Sequence, residues 1–78
     1  MNSYIVAFKP ASDGAHAQDS AIDDLANKVE GSGGQIKHRY NSKVMRGFAG
    51  SMSEETKNEL EKHPGVKYIE PDQAVSTQ

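Results

Sequence analysis

The chain has 78 residues, of which 11 are acidic and 9 basic, and its formal charge is −2 at pH 7. A chain of this size has room for one small core, because it buries only about 60% of the surface that its unfolded form exposes. Cysteine is absent, so neither disulfides nor thiolate metal sites can supplement that core. Acidic and basic residues are interspersed, which argues against a surface that binds nucleic acid or an anionic membrane. No long apolar run is present, which argues against a membrane span and a secretion signal. We therefore expect a cytoplasmic protein that is monomeric when free.

The first half of the chain predicts a strand followed by a helix. Tyr4 to Lys9 is rich in β-branched and aromatic residues, which favour a strand. Turn residues fill Pro10 to Gly14, and apolar residues then recur at helical spacing around the polar pair Asp23-Asp24. These apolar positions are Ile22, Leu25, Ala26 and Val29. The glycine-rich run 31–34 should end this amphipathic helix, because glycine adopts the left-handed cap conformation without strain.

The second half predicts a hairpin, a helix and a last strand. Ile36, His38 and Tyr40 alternate with polar residues, which is the period of a strand with unlike faces. A turn at 41–43 leads to an extended segment over 44–52, where Gly47 and Gly50 indicate bulges or close backbone approach. The second helix follows, with Ser51 and Ser53 as alternative N-caps, and runs to about His63. Val66 to Ile69 then predicts a fourth strand.

This βαββαβ order is typical of an α+β, ferredoxin-like fold with two helices on one face of a four-stranded antiparallel sheet. We expect residues 1–72 to form the domain and residues 73–78 to form an extended C-terminal tail. The tail begins after Glu70-Pro71-Asp72 and offers no apolar period that could join the core. The other sheet face is left open, which makes it the expected place for a partner.

Nothing in the sequence indicates catalysis or a cofactor. The three histidines, His16, His38 and His63, are scattered over different elements, so we predict neither a catalytic triad nor a metal site. The chain is therefore predicted not to be an enzyme and to need no cofactor.

Arg46-Gly47-Phe48-Ala49 raises RNA binding as an alternative, because RNA-recognition domains share this element order and a similar third-strand motif. The next position should be a base-stacking aromatic residue but is Gly50, and the chain is acidic overall. We therefore interpret Phe48 as an interface residue on the open sheet face.

Four motifs carry a family resemblance when taken in order. They are Tyr4-Ile-Val-Ala-Phe-Lys9, Gly33-Gly34-Gln-Ile36, Arg46-Gly-Phe-Ala49 and Val66-Lys-Tyr-Ile-Glu-Pro-Asp72. The chain resembles the propeptides of subtilisin-like proteases and the free-standing inhibitors related to them. The resemblance spans essentially the whole sequence.

The resemblance implies inhibition of a subtilisin-like serine protease. The open sheet face would pack on two surface helices of the enzyme, and Glu70 and Asp72 would meet the N-termini of those helices. We assign Tyr40, Phe48 and Tyr68 to this sheet interface. The tail residues implied to occupy the substrate cleft like a bound product are Ala74, Val75, Ser76, Thr77 and Gln78. Val75 would fill the apolar fourth pocket, whereas Gln78 departs from the large apolar residue that these proteases prefer next to the cut.

Two roles fit this resemblance, namely an autonomous inhibitor and a propeptide that acts as an intramolecular chaperone. Met1 at the start and the close of the chain at Gln78 favour the first of these in our interpretation.

Overall fold

The computed structural model describes residues 2–42 and 44–72. Its helices and strands follow the predicted order. They are β1 (Asn2–Phe8), α1 (Asp19–Gly31), β2 (Gln35–Asn41), β3 (Arg46–Met52), α2 (Glu54–Glu61) and β4 (Val66–Pro71). Two short 3₁₀ turns, Ala11–Asp13 and Ala15–Ala17, join β1 to α1.

The four strands form one antiparallel sheet in the order β2-β3-β1-β4. The two inner strands are therefore β1 and β3, which pair from Asn2 opposite Met52 to Ala7 opposite Gly47. Sequential neighbours β2 and β3 form the predicted hairpin, while β4 returns to lie beside β1. The predicted ferredoxin-like α+β fold is thus confirmed.

The core lies between one face of the sheet and the two helices. Tyr4, Val6 and Phe8 alternate along β1 and are all buried in it. The remaining members of this cluster are Ile22, Leu25, Ala26, Val29, Phe48, Met52, Leu60 and Val66. The rings of Phe8 and Phe48 are 6.4 Å apart between centroids, so aromatic packing joins the two inner strands.

Helix α1 presents its predicted apolar face to this core, since all four predicted positions are buried. The helix ends at Gly31, and Gly33 adopts a positive φ of 98° just beyond it. The peptide N–H of Gly34 then donates to the Val29 carbonyl at 2.9 Å. The glycine-rich run therefore ends the helix as predicted, because it supplies donors for the last carbonyls at a position that side chains tolerate poorly.

Helix α2 is capped by Ser53, which decides between the two predicted caps. The Ser53 Oγ accepts a hydrogen bond from the Thr56 peptide N–H at 3.2 Å. Glu54 and Glu55 fill the first turn, where negative charge complements the helix dipole. The helix ends at Glu61, slightly earlier than predicted.

Arg46 holds the long connection between β1 and α1 against the sheet. Its guanidinium donates to the carbonyls of Lys9 and Ala17 at 2.9 and 2.7 Å, and to the Asp19 carboxylate at 2.6 Å. Only 13% of this side chain is exposed. The connection offers few apolar residues to the core, so these charge-assisted bonds are its main attachment.

Gly47 and Gly50 permit close packing of β3 against its two neighbours, β1 and β2. A Cβ atom at Gly47 would lie 1.9 Å from the Val6 carbonyl oxygen, and Gly47 has a φ of 143°. A Cβ at Gly50 would lie 2.3 Å from the Gln35 carbonyl oxygen. The predicted close approach of backbones is confirmed at both positions.

Candidate functional site: the open sheet face

The face of the sheet opposite the helices is lined by small residues along its two inner strands. Side chains alternate along a strand, so the neighbours of the buried core residues point to this open face. In β1 they are Ser3, Ile5 and Ala7, and in β3 they are Gly47, Ala49 and Ser51. Most of these side chains are short, and Ala7 and Ala49 are only 3% and 0% exposed, so the centre of the open face is a shallow strip.

Strand β2 forms one edge of the open face. His38 pairs with Ala49 and Tyr40 with Gly47, so both side chains point to the open face. Their rings are 6.4 Å apart between centroids. The predicted placement of Tyr40 on the open side of the sheet is consistent with this register.

The predicted alternation fails at one position in β2. The register shifts between Ile36 and His38, so Lys37 is an extra residue in this strand. Ile36 consequently packs against the helix-side core instead of sharing a face with His38. The bulge was predicted in β3 as one option, but the register shift lies in its partner strand.

Phe48 does not belong to the open face, and its assignment to the interface was wrong. It pairs with Val6, is fully buried and lies in the helix-side core. Gly47 and Ala49 take the open positions on either side of it. The buried ring is not available for base stacking, which removes the residue that suggested RNA binding.

Strand β4 forms the opposite edge. Tyr68 pairs with Ala7 and Glu70 with Ile5, so both point to the open face. Tyr68 is 42% exposed and Glu70 is exposed. The Asp72 peptide N–H donates to the Ser3 carbonyl at 2.9 Å, which continues the pairing beyond the end of β4.

The structure therefore places Tyr40 and Tyr68 at opposite edges of one face, and Glu70 and Asp72 together at the β4 edge. The predicted cleft residues, Ala74 to Gln78, lie outside the described residues.

The histidines serve local structure rather than a common site. His16 Nε2 lies 2.9 Å from the Asp13 carboxylate, and this hydrogen bond lowers the pKa of Asp13 below its ordinary value. His63 Nδ1 accepts from the Gly65 peptide N–H at 3.0 Å, and His38 stacks near Tyr40.

Over residues 2–42 and 44–72, no three side chains of the His, Cys, Asp or Glu type come together as a metal site would require. Neither described helix combines the length and apolarity needed to span a bilayer.

Two contributors to this surface and its support escaped the sequence prediction. Arg46 belongs to a motif in the sequence, but the sequence assigns it no structural role, although it anchors the β1–α1 connection. Lys37 was assigned to the polar side of β2, whereas its ammonium donates to the Ser3 hydroxyl at 2.8 Å on the open face. A strand in which Lys and Arg flank a histidine contains no signal that would reveal the extra residue.

Comparison with known proteins relates this fold to peptidase inhibition. The family model described as peptidase inhibitor I9 matches residues 3–78. The subtilisin-like protease 1 of Trichophyton verrucosum and that of Arthroderma benhamiae are each 30% identical over 82 residues. These matches cover 96% of this chain but 21% of each relative. The subtilisin-like protease 1 of Trichophyton equinum is 39% identical over 41 residues, which is 53% of this chain and 8% of that relative.

The chain thus spans only 21% of the length of the first two relatives. The family description is that of an inhibitor of peptidases rather than a peptidase. The family model matches nearly the whole sequence, and the predicted fold and the predicted resemblance agree with it. The protein therefore belongs to the peptidase inhibitor I9 family.

Proposed function

We propose that this domain inhibits subtilisin-like serine proteases by docking its open sheet face on the enzyme and directing its C-terminal tail into the substrate cleft. The observation that carries the proposal is the open face itself. The centre of this face is shallow, and its edges carry Tyr40, Tyr68 and Glu70. The chain also belongs to a family of peptidase inhibitors. Aromatic residues at the edges of an otherwise flat patch are suited to anchor an interface.

The charge at the β4 edge supports helix N-termini as the surface that this face recognises. Glu70 is exposed on the open side, and Asp72 follows along the same edge. Unpaired N–H groups and the helix dipole attract carboxylates at a helix start, and each such contact contributes about 0.3–2 kcal/mol. Two carboxylates on one edge would therefore align two neighbouring helices beneath the sheet.

The tail proposal follows from the direction of β4. This strand ends at Pro71 beside the start of β1, and residues 73–78 follow it in the sequence. In an extended conformation these residues could pair with the edges of a protease cleft, with alternate side chains in its pockets. Val75 would occupy an apolar pocket, and Gln78 would contribute less.

Titration of a bacterial subtilisin with the full chain tests the proposal, with hydrolysis of a small chromogenic peptide as the measurement. We expect tight, stoichiometric inhibition. A chain lacking residues 75–78 should keep its melting temperature but lose most of its potency. Glu70→Gln should weaken inhibition, whereas Glu30→Gln, which removes an exposed carboxylate on α1, serves as the matched control and should not. Full potency of the truncated chain would refute the role of the tail.

A second candidate, the chaperone role of a propeptide, is favoured by the length of the relatives. The match covers only 21% of proteins named subtilisin-like protease 1, so the corresponding segment there is part of a longer chain. A domain that binds the folded form of a protease stabilises that form by mass action. Refolding of a subtilisin without its own propeptide should therefore give more active enzyme when this domain is added. Unchanged yields would remove this role.

A further inference from the structure

The two inner strands of the open face are nearly equivalent under a half-turn. The pair Ile5–Ala49 lies at the centre of their register, with Ser3 opposite Ser51 at one end and Ala7 opposite Gly47 at the other. A half-turn about the sheet normal exchanges β1 with β3 and β4 with β2. A partner that contacted only the central strip could therefore dock in two orientations.

The two edges of the face break this equivalence by their charge. In the half-turn, Glu70 opposite Ile5 corresponds to His38 opposite Ala49. The β4 edge carries Glu70 and Asp72 besides Lys67 and Tyr68, whereas β2 contains no acidic residue and its edge carries an aromatic pair and the ammonium of Lys37. Electrostatic complementarity of this kind selects orientation and partner more than it adds raw affinity.

Lys37 points to the open face as the neighbour of the core-facing Ile36, and the bulge in β2 puts His38 on the same face. Lys37 is the extra residue between Ile36 and His38, and its Nζ lies 2.8 Å from Ser3 Oγ on the far inner strand. Ser3 precedes the buried Tyr4 and so points away from the core. The side chain therefore crosses over β3, and the ammonium lies within the surface that a docked partner would cover.

Covering this ammonium requires an anionic acceptor. Lysine has three donors, and the hydroxyl of Ser3 is a neutral acceptor for one of them. Desolvation of a charge at an interface is costly unless an opposite charge meets it. The partner must therefore supply an anionic group at the β2 edge. At the β4 edge it must supply helix N-termini for the carboxylates.

We propose that Lys37 is a further specificity-determining residue of this domain and that it receives a carboxylate of the protease. Together with Glu70 on the other edge, it fixes one of the two docking orientations. This inference rests on the proposed function, because the partner is the protease that the open face is proposed to bind.

Inhibition constants of Lys37 variants test the inference on a protease that the unaltered chain inhibits. We expect Lys37→Glu to raise the inhibition constant roughly 10-fold or more, and Lys37→Met to raise it less. The effect of Lys37→Glu should shrink at high ionic strength, because salt screens partly exposed charges. Lys62→Met is the matched control, since Lys62 is an exposed residue that follows the last turn of α2, on the helix side of the sheet. Melting temperatures of all variants establish that each is folded.

The outcomes separate this inference from the proposed function. If the unaltered chain inhibits the protease and both Lys37 variants have the same inhibition constant as the unaltered chain, the role of Lys37 is overturned and the proposed function stands. Loss of potency in Lys62→Met equal to that in Lys37→Met would also overturn it, because the effect would then reflect net charge alone. No inhibition by the unaltered chain would overturn the proposed function, and this inference with it.

Discussion

The helix-side face and the open face of this sheet are built from alternate residues of the same strands, yet they differ in side-chain size. In β3, Phe48 and Met52 fill the core, while Gly47, Ala49 and Ser51 lie on the other side. Large apolar residues stabilise the fold through burial, whereas short ones keep the opposite surface low. The core and the proposed interface therefore use alternate positions, and we expect substitutions to alter them separately.

The largest effect is expected from the helix-side face. Phe48→Ala should lower the free energy of unfolding by about 3–5 kcal/mol, because it removes a fully buried ring and leaves a cavity. That loss is a large fraction of the stability of a small domain. Chemical denaturation measures it, and retention of full stability would show that the two faces are not divided as described. The variant should also be digested by its target protease, because proteolysis follows the unfolded population.

For substitutions on the open face, we expect a larger effect on inhibition than on stability. Tyr68→Ala should lower the free energy of unfolding by about 1–2 kcal/mol, well below the effect of Phe48→Ala, because the residue is already 42% exposed. Inhibition should weaken roughly 5- to 30-fold if this ring anchors the interface. Parallel measurements of inhibition and melting temperature check this. A large loss of stability with unchanged inhibition would reverse the assignment.

A smaller effect on stability is expected at the start of α2, which belongs to the helix layer. Ser53→Ala removes the cap of the Thr56 N–H and should cost about 1 kcal/mol in unfolding free energy. Inhibition by the folded protein should stay the same, because the cap is remote from the open face. Ser53→Asp keeps an acceptor at this position, so it should retain most of the stability that the alanine variant loses.

The smallest effect is expected at Asp13, in the connection before α1. Its hydrogen bond with His16 lowers the pKa of Asp13 from the ordinary value of 3.8. The resulting stabilisation is present above the unfolded-state pKa and is lost as the pH falls through the lower folded-state pKa. Asp13→Asn should therefore show a shallower loss of stability in acid than the unaltered chain. Identical acid-unfolding curves would argue against this contact.

Element order and the helix faces could be predicted because their signals are local and redundant. The face of α1 rests on four apolar residues at one spacing, and all four are buried. The end of this helix was predicted from the run of glycines that follows it, and Gly33 in that run adopts a positive φ. No tertiary contact is needed to infer either feature.

Two features of the strands could not be predicted from local patterns. They are the side of the sheet to which each residue of β3 points and the position of the bulge in β2. Gly47, Ala49 and Gly50 fit either side of a sheet, so the phase of β3 depends on Phe48 and Met52 meeting the core residues of β1. The spacing of those two residues puts them on one face, but an aromatic residue suits a core and an interface alike, so it does not decide which face that is. The extra residue in β2 depends on pairing with β3, which no local pattern in β2 records.

Both outer strands of the sheet contain one extra residue, and in each case it is a lysine. Lys37 interrupts the pairing of β2 with β3, and Lys67 interrupts the pairing of β4 with β1. An edge strand whose pairing is interrupted at a charged residue is a poor template for adding a further strand from another molecule. The two interrupted edges thus disfavour pairing of one copy of the domain with the sheet of another.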